Sequence, residues 1–335
     1  MVAEIRAEDP KVPRIAIVNA RRFAGNAVIA GCADLIVATE DASIGMGGPT
    51  MIAGGGLGNV DPDEVGPIEM QAPNGVVDVV VADEAEAVGV TKRLLGYFRG
   101  PAEPGGAADQ TKLRTLVPER ERRAYKVEPI IETLADDGSV TFLRERFARE
   151  LVTAFARIEG RPVGIIANNT MAMARALTSD ASDKAARFLQ LCDAFGIPVV
   201  SLVARVHRRA QARGDRARAP HLQAARRGRC AVGPARRRIL RRGYGLSAQA
   251  MVGGSLHEPL LTVAWPSAHI GPMGLEGAVR LALRKELEAI ADEAEREQRV
   301  REVTAAAQEN AKAINAAQLF EIDDVIDPAP ARGRP

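Results

Sequence analysis

The sequence predicts an α/β protein. Runs of β-branched and small apolar residues alternate with stretches of helical periodicity, and glycine- and proline-rich turns join them. Hydrophobic residues make up 46% of the chain but aromatic residues only 4%, the balance of a core packed on Ala, Val, Leu and Ile. Strand, turn, helix, strand in that order implies a parallel sheet with helical crossovers. At 335 residues the chain has room for two domains.

The elements follow in order. VPRIAIVNA (12–20) reads as a buried strand of β-branched and small residues. In FAGNAVIAGCADLIVA, the Ala-Gly-Asn turn opens a short helix over Ala27 to Cys32, and Asp34 to Ala38 is a second strand. A glycine-dense stretch, SIGMGGPTMIAGGGLGNV, holds six glycines from Gly45 to Gly56. It reads as a loop whose main-chain N–H groups can face a bound group, because glycine brings no Cβ to hold a ligand away. Residues 76–98 give a strand, Asp83 as a helix cap and an amphipathic helix. Residues 99–118, rich in Gly, Pro and polar groups, read as an interdomain linker.

The second half repeats this style. Residues 130–143 carry a helix and a turn, and 151–169 two strands joined at Glu159-Gly160. Residues 179–202 form an amphipathic helix feeding a strand. Ala185, Phe188, Leu189 and Cys192 lie on its apolar face, and Gly196 stops it. From Gly274 to Ile314 a charge-laced stretch reads as two helices.

Composition excludes several functions. No apolar run approaches the roughly 20 residues of a membrane span, and the start of the sequence shows no secretory pattern. Cys32, Cys192 and Cys230 are scattered, as free thiols in a reducing cytosol would be. The four histidines lack metal spacing, and His257 and His269 read as surface or core-edge residues. Trp265 reads as a packing anchor.

The formal net charge of +2 conceals an asymmetry. Residues 203–242 contain 14 arginines, no lysine and one acid, Asp215; the remainder has 31 basic and 42 acidic residues, a net of −11. An arginine arm can neutralise nucleic-acid phosphates. Here it lacks aromatic residues for base stacking, and the acidic remainder repels phosphate, so no specific nucleic-acid role is expected.

Taken together, FAGNAVIAGCADLIVATEDASIGMGGPTMIAGGGLG, PNGVVDVVVADEAEAVGV, IETLADDGSVTFLRERF, RIEGRPVGIIANN, SDKAARFLQLCDAFGIPVVSL, GYGLSAQAM, VAWPSAHIGPMGLEGAVRL and FEIDDVIDP resemble the carboxyltransferase subunit of biotin-dependent acyl-CoA carboxylases, of the acetyl-/propionyl-CoA carboxylase beta type. The resemblance implies a ClpP/crotonase-like ββα spiral in two related domains: a partial first domain over 1–100, a linker over 101–118 and a second domain over 119–335. It implies transfer of a carboxyl group from carboxybiotin, carried on a partner carrier domain, to the α-carbon of an acyl-CoA. Two pairs of main-chain N–H groups would stabilise the oxyanions, Gly25 and Asn26 for the thioester and Ser247 and Ala248 for biotin. Ala24, Gly45, Gly47, Gly48 and Pro49 would shape the acyl-CoA pocket, and Tyr244, Gly245, Leu246, Gly253 and Gly254 the biotin side. No metal is expected. Implied partners are a biotin carboxylase/biotin carrier subunit and further copies of the chain, as a dimer or trimer of dimers, in the cytoplasm.

Three departures from the family pattern leave activity open. The first domain is expected to be truncated at its start. Ala174 and Arg175 stand where the family has glycines. Ser201-Leu202 is followed by arginines in place of an acidic turn and Phe-(Met or Ile)-Val-Gly-Pro. Val206 to Ala210 can be encoded so that dropping one base reads Phe-Ile-Val-Gly-Pro, and Arg218 to Leu222 then reads Val-Arg-His-Ile-Ser. A shifted reading frame is therefore expected near 203–238, with that segment solvated or frayed and an apolar gap beside Val199–Leu202. The alternatives are an inactive remnant that still oligomerises, or another crotonase-fold acyl-CoA enzyme such as a hydratase or isomerase.

Overall fold

A computed structural model of the chain describes residues 12–120, 123–172, 178–206, 235–251, 256–257 and 260–332. It is a mixed α/β fold of two lobes. In the first, β1 (Ile15–Val18), β3 (Leu35–Thr39) and β5 (Val79–Val81) form a parallel sheet in the order β1-β3-β5. Beside it, β2 (Arg21–Phe23) and β4 (Ser43–Gly45) form a parallel pair. Helix α1 (Gly25–Gly31) connects β2 to β3.

The glycine-dense stretch is more ordered than a plain loop. It contains β4 and a short helix α2 (Pro49–Gly54), with Gly48 as N-cap and proline at the first helical position. A turn of 3-10 helix at Pro62–Glu64 and helix α3 (Ile68–Gln71) lead on to β5. Gly66 needs its glycine: its φ is 62°, and an added Cβ would lie 2.0 Å from the Ile44 carbonyl oxygen.

Helix α4 (Glu84–Phe98) starts at Asp83, whose carboxylate accepts the Glu86 N–H at 2.8 Å, as the sequence predicts. It buries Ala87, Val90, Leu94 and Tyr97. Tyr97 stacks on Phe155 of the second lobe at 5.4 Å, so one apolar core crosses both lobes. The chain then runs without regular structure to Asp109. From Gln110 it folds again, and Leu113 in helix α5 (Leu113–Leu116), together with Val117, joins the core of the second lobe. A continuous linker over 101–118 is therefore too long a reading: periodicity is hard to see in a four-residue helix.

The second lobe is built on an eight-stranded sheet in the order β13-β11-β10-β9-β8-β7-β6, with β12 pairing β10. Helix α6 (Glu128–Leu134) precedes β6 (Thr141–Leu143). Strands β7 (Leu151–Ile158) and β8 (Arg161–Asn168) form the antiparallel hairpin that the sequence predicts; Glu159 and Gly160 both have positive φ, 53° and 76°. Helix α7 (Ser179–Ala194) crosses to β9 (Val199–Val206), which pairs parallel with β8.

The expected frayed segment is corrected at both ends. Strand β9 continues to Val206, with Val203 and Ala204 fully buried. Strand β10 (Ala235–Tyr244) pairs along it from Ala235↔Val199 onward, so no gap lies beside Val199–Leu202. Backbone pairing is indifferent to side-chain type, and buried guanidinium groups find carbonyl partners: Arg238 donates to Ala331 and Arg241 to Glu119. Residues 207–234 lie outside the described residues, as do Ala174 and Arg175.

Helix α8 (Gly245–Met251), β11 (Leu261–Ala264) and β12 (His269–Gly271) complete the sheet's far side with β13 (Asp324–Val325). The stretch read as two helices holds three, α9 (Leu275–Ala282), α10 (Arg284–Ala289) and α11 (Glu293–Asn310), and the start of a fourth, α12 (Ala313–Gln318). Asp292, accepting the N–H groups of Ala294 and Glu295, caps a break that the continuous charge pattern conceals.

Candidate active site

The first turn sits where β2 runs into α1. Its hinge is Ala24, with φ 49° and ψ −121°, an unusual conformation for a residue with a side chain. The helical ladder opens with Val28 N–H donating to the Ala24 carbonyl at 3.1 Å. The N–H groups of Gly25, Asn26 and Ala27 lie ahead of that ladder, where a helix offers no internal acceptor. Gly25 and Asn26 are exposed; Ala27 is buried.

Gly45 and Gly48 stand next to this turn, with Gly47 and Pro49 adjoining Gly48 in sequence. Phe23 pairs with Gly45 across β2 and β4, and Ala24 N–H donates to the Gly45 carbonyl at 3.1 Å. A Cβ on Gly45 would lie 2.8 Å from Val65 and one on Gly48 3.3 Å from Phe23, so both glycines allow close packing. At Gly47 the space is open: an added Cβ would meet only Met51, at 3.9 Å.

The second turn sits where β10 runs into α8. Gly245 is its hinge, with φ 64°, and an added Cβ would lie 2.7 Å from the Pro272 carbonyl oxygen. Tyr244 pairs with Gly271 of β12 and is buried. Arg242 lies 5.9 Å from the Tyr244 ring centroid. Ala248 and Met251 face the core, and Ser201 Oγ donates to the Met251 carbonyl at 2.7 Å. Gly253 and Gly254 lie outside the described residues.

The two turns are copies of one unit. Val18 pairs with Ala38 and Phe23 with Gly45; Ile239 pairs with Ala264 and Tyr244 with Gly271. Residues 15–23 thus correspond to 236–244, and 35–48 to 261–274. Ala38, Ala42, Ile44, Gly45 and Gly48 recur as Ala264, Ala268, Ile270, Gly271 and Gly274. Ala42 N–H donates to the Thr39 carbonyl at 3.1 Å, and Ala268 N–H to the Trp265 carbonyl at 2.9 Å. Carried past the hinge, the correspondence sets Gly25, Asn26 and Ala27 against Leu246, Ser247 and Ala248. Ala248, like Ala27, is buried. The sequence reading missed Gly271 to Gly274; the A-x-I-G-x-x-G match between 42–48 and 268–274 is the signal that self-comparison would have found.

Neither histidine stands as a ready base. His257 is exposed. His269 is half-buried on β12, and burial, then the charge of Arg242, lower its pKa. Trp265 is buried at 1% exposure, as a packing anchor should be. What the two turns can supply is main-chain N–H groups held ready for developing negative charge.

Two strand–turn–helix units, each next to a glycine-lined neighbour, define the class by its architecture. The comparisons with known proteins narrow the class. The family described as carboxyl transferase domain matches residues 1–206 and 226–334, and the chain belongs to that family. It is 35% identical, over 96% of its length, to the methylmalonyl-CoA carboxyltransferase 12S subunit of Propionibacterium freudenreichii subsp. shermanii, covering 63% of that protein. It is 32% identical to the biotin-dependent acetyl-/propionyl-coenzyme A carboxylase beta6 subunit of Mycobacterium tuberculosis, covering 96% of this chain and 70% of that one. Among solved structures, a single-chain, multi-domain long-chain acyl-CoA carboxylase matches with TM-score 0.91 and 44% identity, covering 99% of this chain and 33% of that one. The transcarboxylase 12S structure matches with TM-score 0.82 and 32% identity, covering 96% and 64%. The chain thus spans between 50% and 70% of the length of the curated relatives it matches. Among the described residues no helix is long and apolar enough to cross a membrane.

Proposed function

We propose that this chain is the carboxyltransferase component of a biotin-dependent acyl-CoA carboxylase, with its two lobes as related crotonase-like spirals. The supporting observation is the repeated turn: two ligands that each develop an oxyanion need two sets of preorganised N–H donors. Gly25 and Asn26 hold the thioester oxygen of an acyl-CoA, with Ala24, Gly45, Gly47, Gly48 and Pro49 around it. The second turn faces the ureido oxygen of biotin through Ser247 and a neighbouring amide, Ala248 by sequence resemblance or Leu246 by the internal correspondence. Tyr244 and Gly245 support it.

A donor set made of N–H groups fits an oxygen that only accepts hydrogen bonds. Carboxybiotin, when bound, would supply the carboxyl group that the acyl α-carbon takes in exchange for its proton. The chain's own residues bind, orient and neutralise charge. A biotin carboxylase/biotin carrier subunit and further copies of the chain are the proposed partners.

The test is a transfer assay with a carboxylated biotin carrier and an acyl-CoA. A malonyl-type product above background supports the reading. Gly25→Val sharpens it. An added Cβ there meets nothing within 4 Å, so the variant should fold. Its branched side chain adds bulk at the helix start beside the Gly25 and Asn26 N–H groups; blocking approach to one of them should drop the rate by about 10²-fold, the typical effect of losing one oxyanion donor. Full activity in Gly25→Val would remove the first turn from catalysis. The inactive-remnant reading has one observation in its favour: the family match breaks over residues 207–225, inside the arginine-rich segment. Absence of any product would decide for it.

A further inference from the structure

We propose that Met273 is the residue that fits the second turn to its ligand, closing over the flat biotin ring where Gly47 leaves the first turn open to a thioester; this rests on the functional reading above. The argument starts from the internal correspondence. Both turns are framed alike: an aromatic residue, Phe23 or Tyr244, ends the strand and pairs with a glycine, Gly45 or Gly271. The aromatic ring packs on that glycine in both, with an added Cβ 3.4 Å from Phe23 at Gly45 and 3.5 Å from Tyr244 at Gly271. A second glycine, Gly48 or Gly274, then caps the next helix.

Between those glycines the copies differ. The first has Met46-Gly47, the second Pro272-Met273. Nothing in the packing demands glycine at 47, since a Cβ would meet only Met51 at 3.9 Å. Met273 is 42% exposed, so its thioether is not a core filler. At this one position the same frame therefore carries a methionine on the second copy and no side chain on the first, whose own methionine, Met46, stands one residue earlier. A bare backbone admits a thick substituted chain such as an acyl-CoA thioester. A flexible, polarisable methionine that follows Pro272, whose carbonyl oxygen lies against Gly245 at the hinge of the second turn, suits a small flat ring with an apolar face. Pro272 at the position of Met46 stiffens the segment that presents it.

Free biotin and CoA are the probes, measured on the full chain by saturation-transfer NMR. Met273→Ala should weaken biotin binding roughly fivefold, in line with losing a few apolar groups from contact, and leave CoA binding unchanged. Gly47→Met should do the reverse. Both positions are surface-accessible, and unchanged thermal unfolding would show that the variants fold. Biotin should also slow hydrogen exchange at residues 269–274 in the parent and less so in Met273→Ala. Biotin binding indifferent to residue 273 overturns this assignment while the functional reading stands. A parent chain that binds CoA but no biotin overturns it together with the biotin half of that reading. Binding of neither sinks both.

Discussion

Lys184 is buried at 2% exposure, and its Nζ donates to the carbonyls of Arg144, Phe147 and Leu151 at 2.9, 2.9 and 2.7 Å. Burial pushes its pKa down to about 7; Glu150 pulls the other way and Arg144 adds to the drop. Because the folded pKa is depressed, the unfolded chain binds the extra proton from pH 7 up to the ordinary lysine range. Stability therefore rises with pH in that window and is flat below it. Cys192 works against this higher up: burial pushes its thiol far upward, so the unfolded chain ionises first and stability falls above about pH 8.5. Between pH 7 and 8.5 the gain should be about 2 kcal/mol, read from urea unfolding, and Lys184→Met should abolish the slope. The sequence shows Lys184 as one polar letter within SDKAARFLQL, between apolar positions that do read correctly as the buried face. Where an ammonium group ends depends on the strand loop packed over it. The same limit applies at the site. The Gly25-Asn26 turn was legible because strand, small residues and helix adjoin in sequence, whereas burial of Ala248 follows from its place in an apolar cluster with residues as distant in the chain as Leu35 and Phe155.

At the scale of the element, β10 is the least legible. Ala235–Tyr244 carries arginine at positions 236, 237, 238, 241 and 242, yet it lies inside the sheet between β9 and β11. Strand reading from sequence rests on apolar or alternating patterns, which this segment lacks. Its place is instead set by the neighbours: VVSLV on β9 and LTVA on β11 are apolar strands that need a partner between them. The two buried arginines should then respond differently to removal. Arg241 donates to Glu119 at 3.0 Å, and Glu119 is exposed, so water can take over its carbonyl. Arg238 donates to Ala331, which is fully buried. Replacing a buried charge with a well-fitting apolar group is commonly neutral or stabilising, unless a buried partner is left unsatisfied. Arg238→Met should thus cost more stability than Arg241→Met, by about 1 kcal/mol. Denaturant midpoints of the two variants check the contrast.

At the scale of the molecule, the two lobes are held together by a shared apolar core and, among the described residues, a buried ion pair. Arg144 Nε donates to Asp78 at 2.7 Å, with side-chain exposures of 10% and 4%, and the Arg144 N–H donates to the Asp78 carbonyl at 2.7 Å. Asp78 also accepts the Ile36 N–H at 2.8 Å, so the pair reaches β3, directly after the first turn's helix. Arg144→Ala strips the charge from a buried carboxylate and should cost about 3 kcal/mol. Asp78→Asn with Arg144→Ala should cost less than the two single losses together, the signature of a direct interaction. The shape of the transition carries more information than its midpoint. If the core that joins Leu94 and Tyr97 of α4 to Phe155 couples the lobes, Arg144→Ala will still unfold in one step with the denaturant slope of the parent. Two separated transitions would mean that the lobes are independent folding units and that the ion pair alone makes them one.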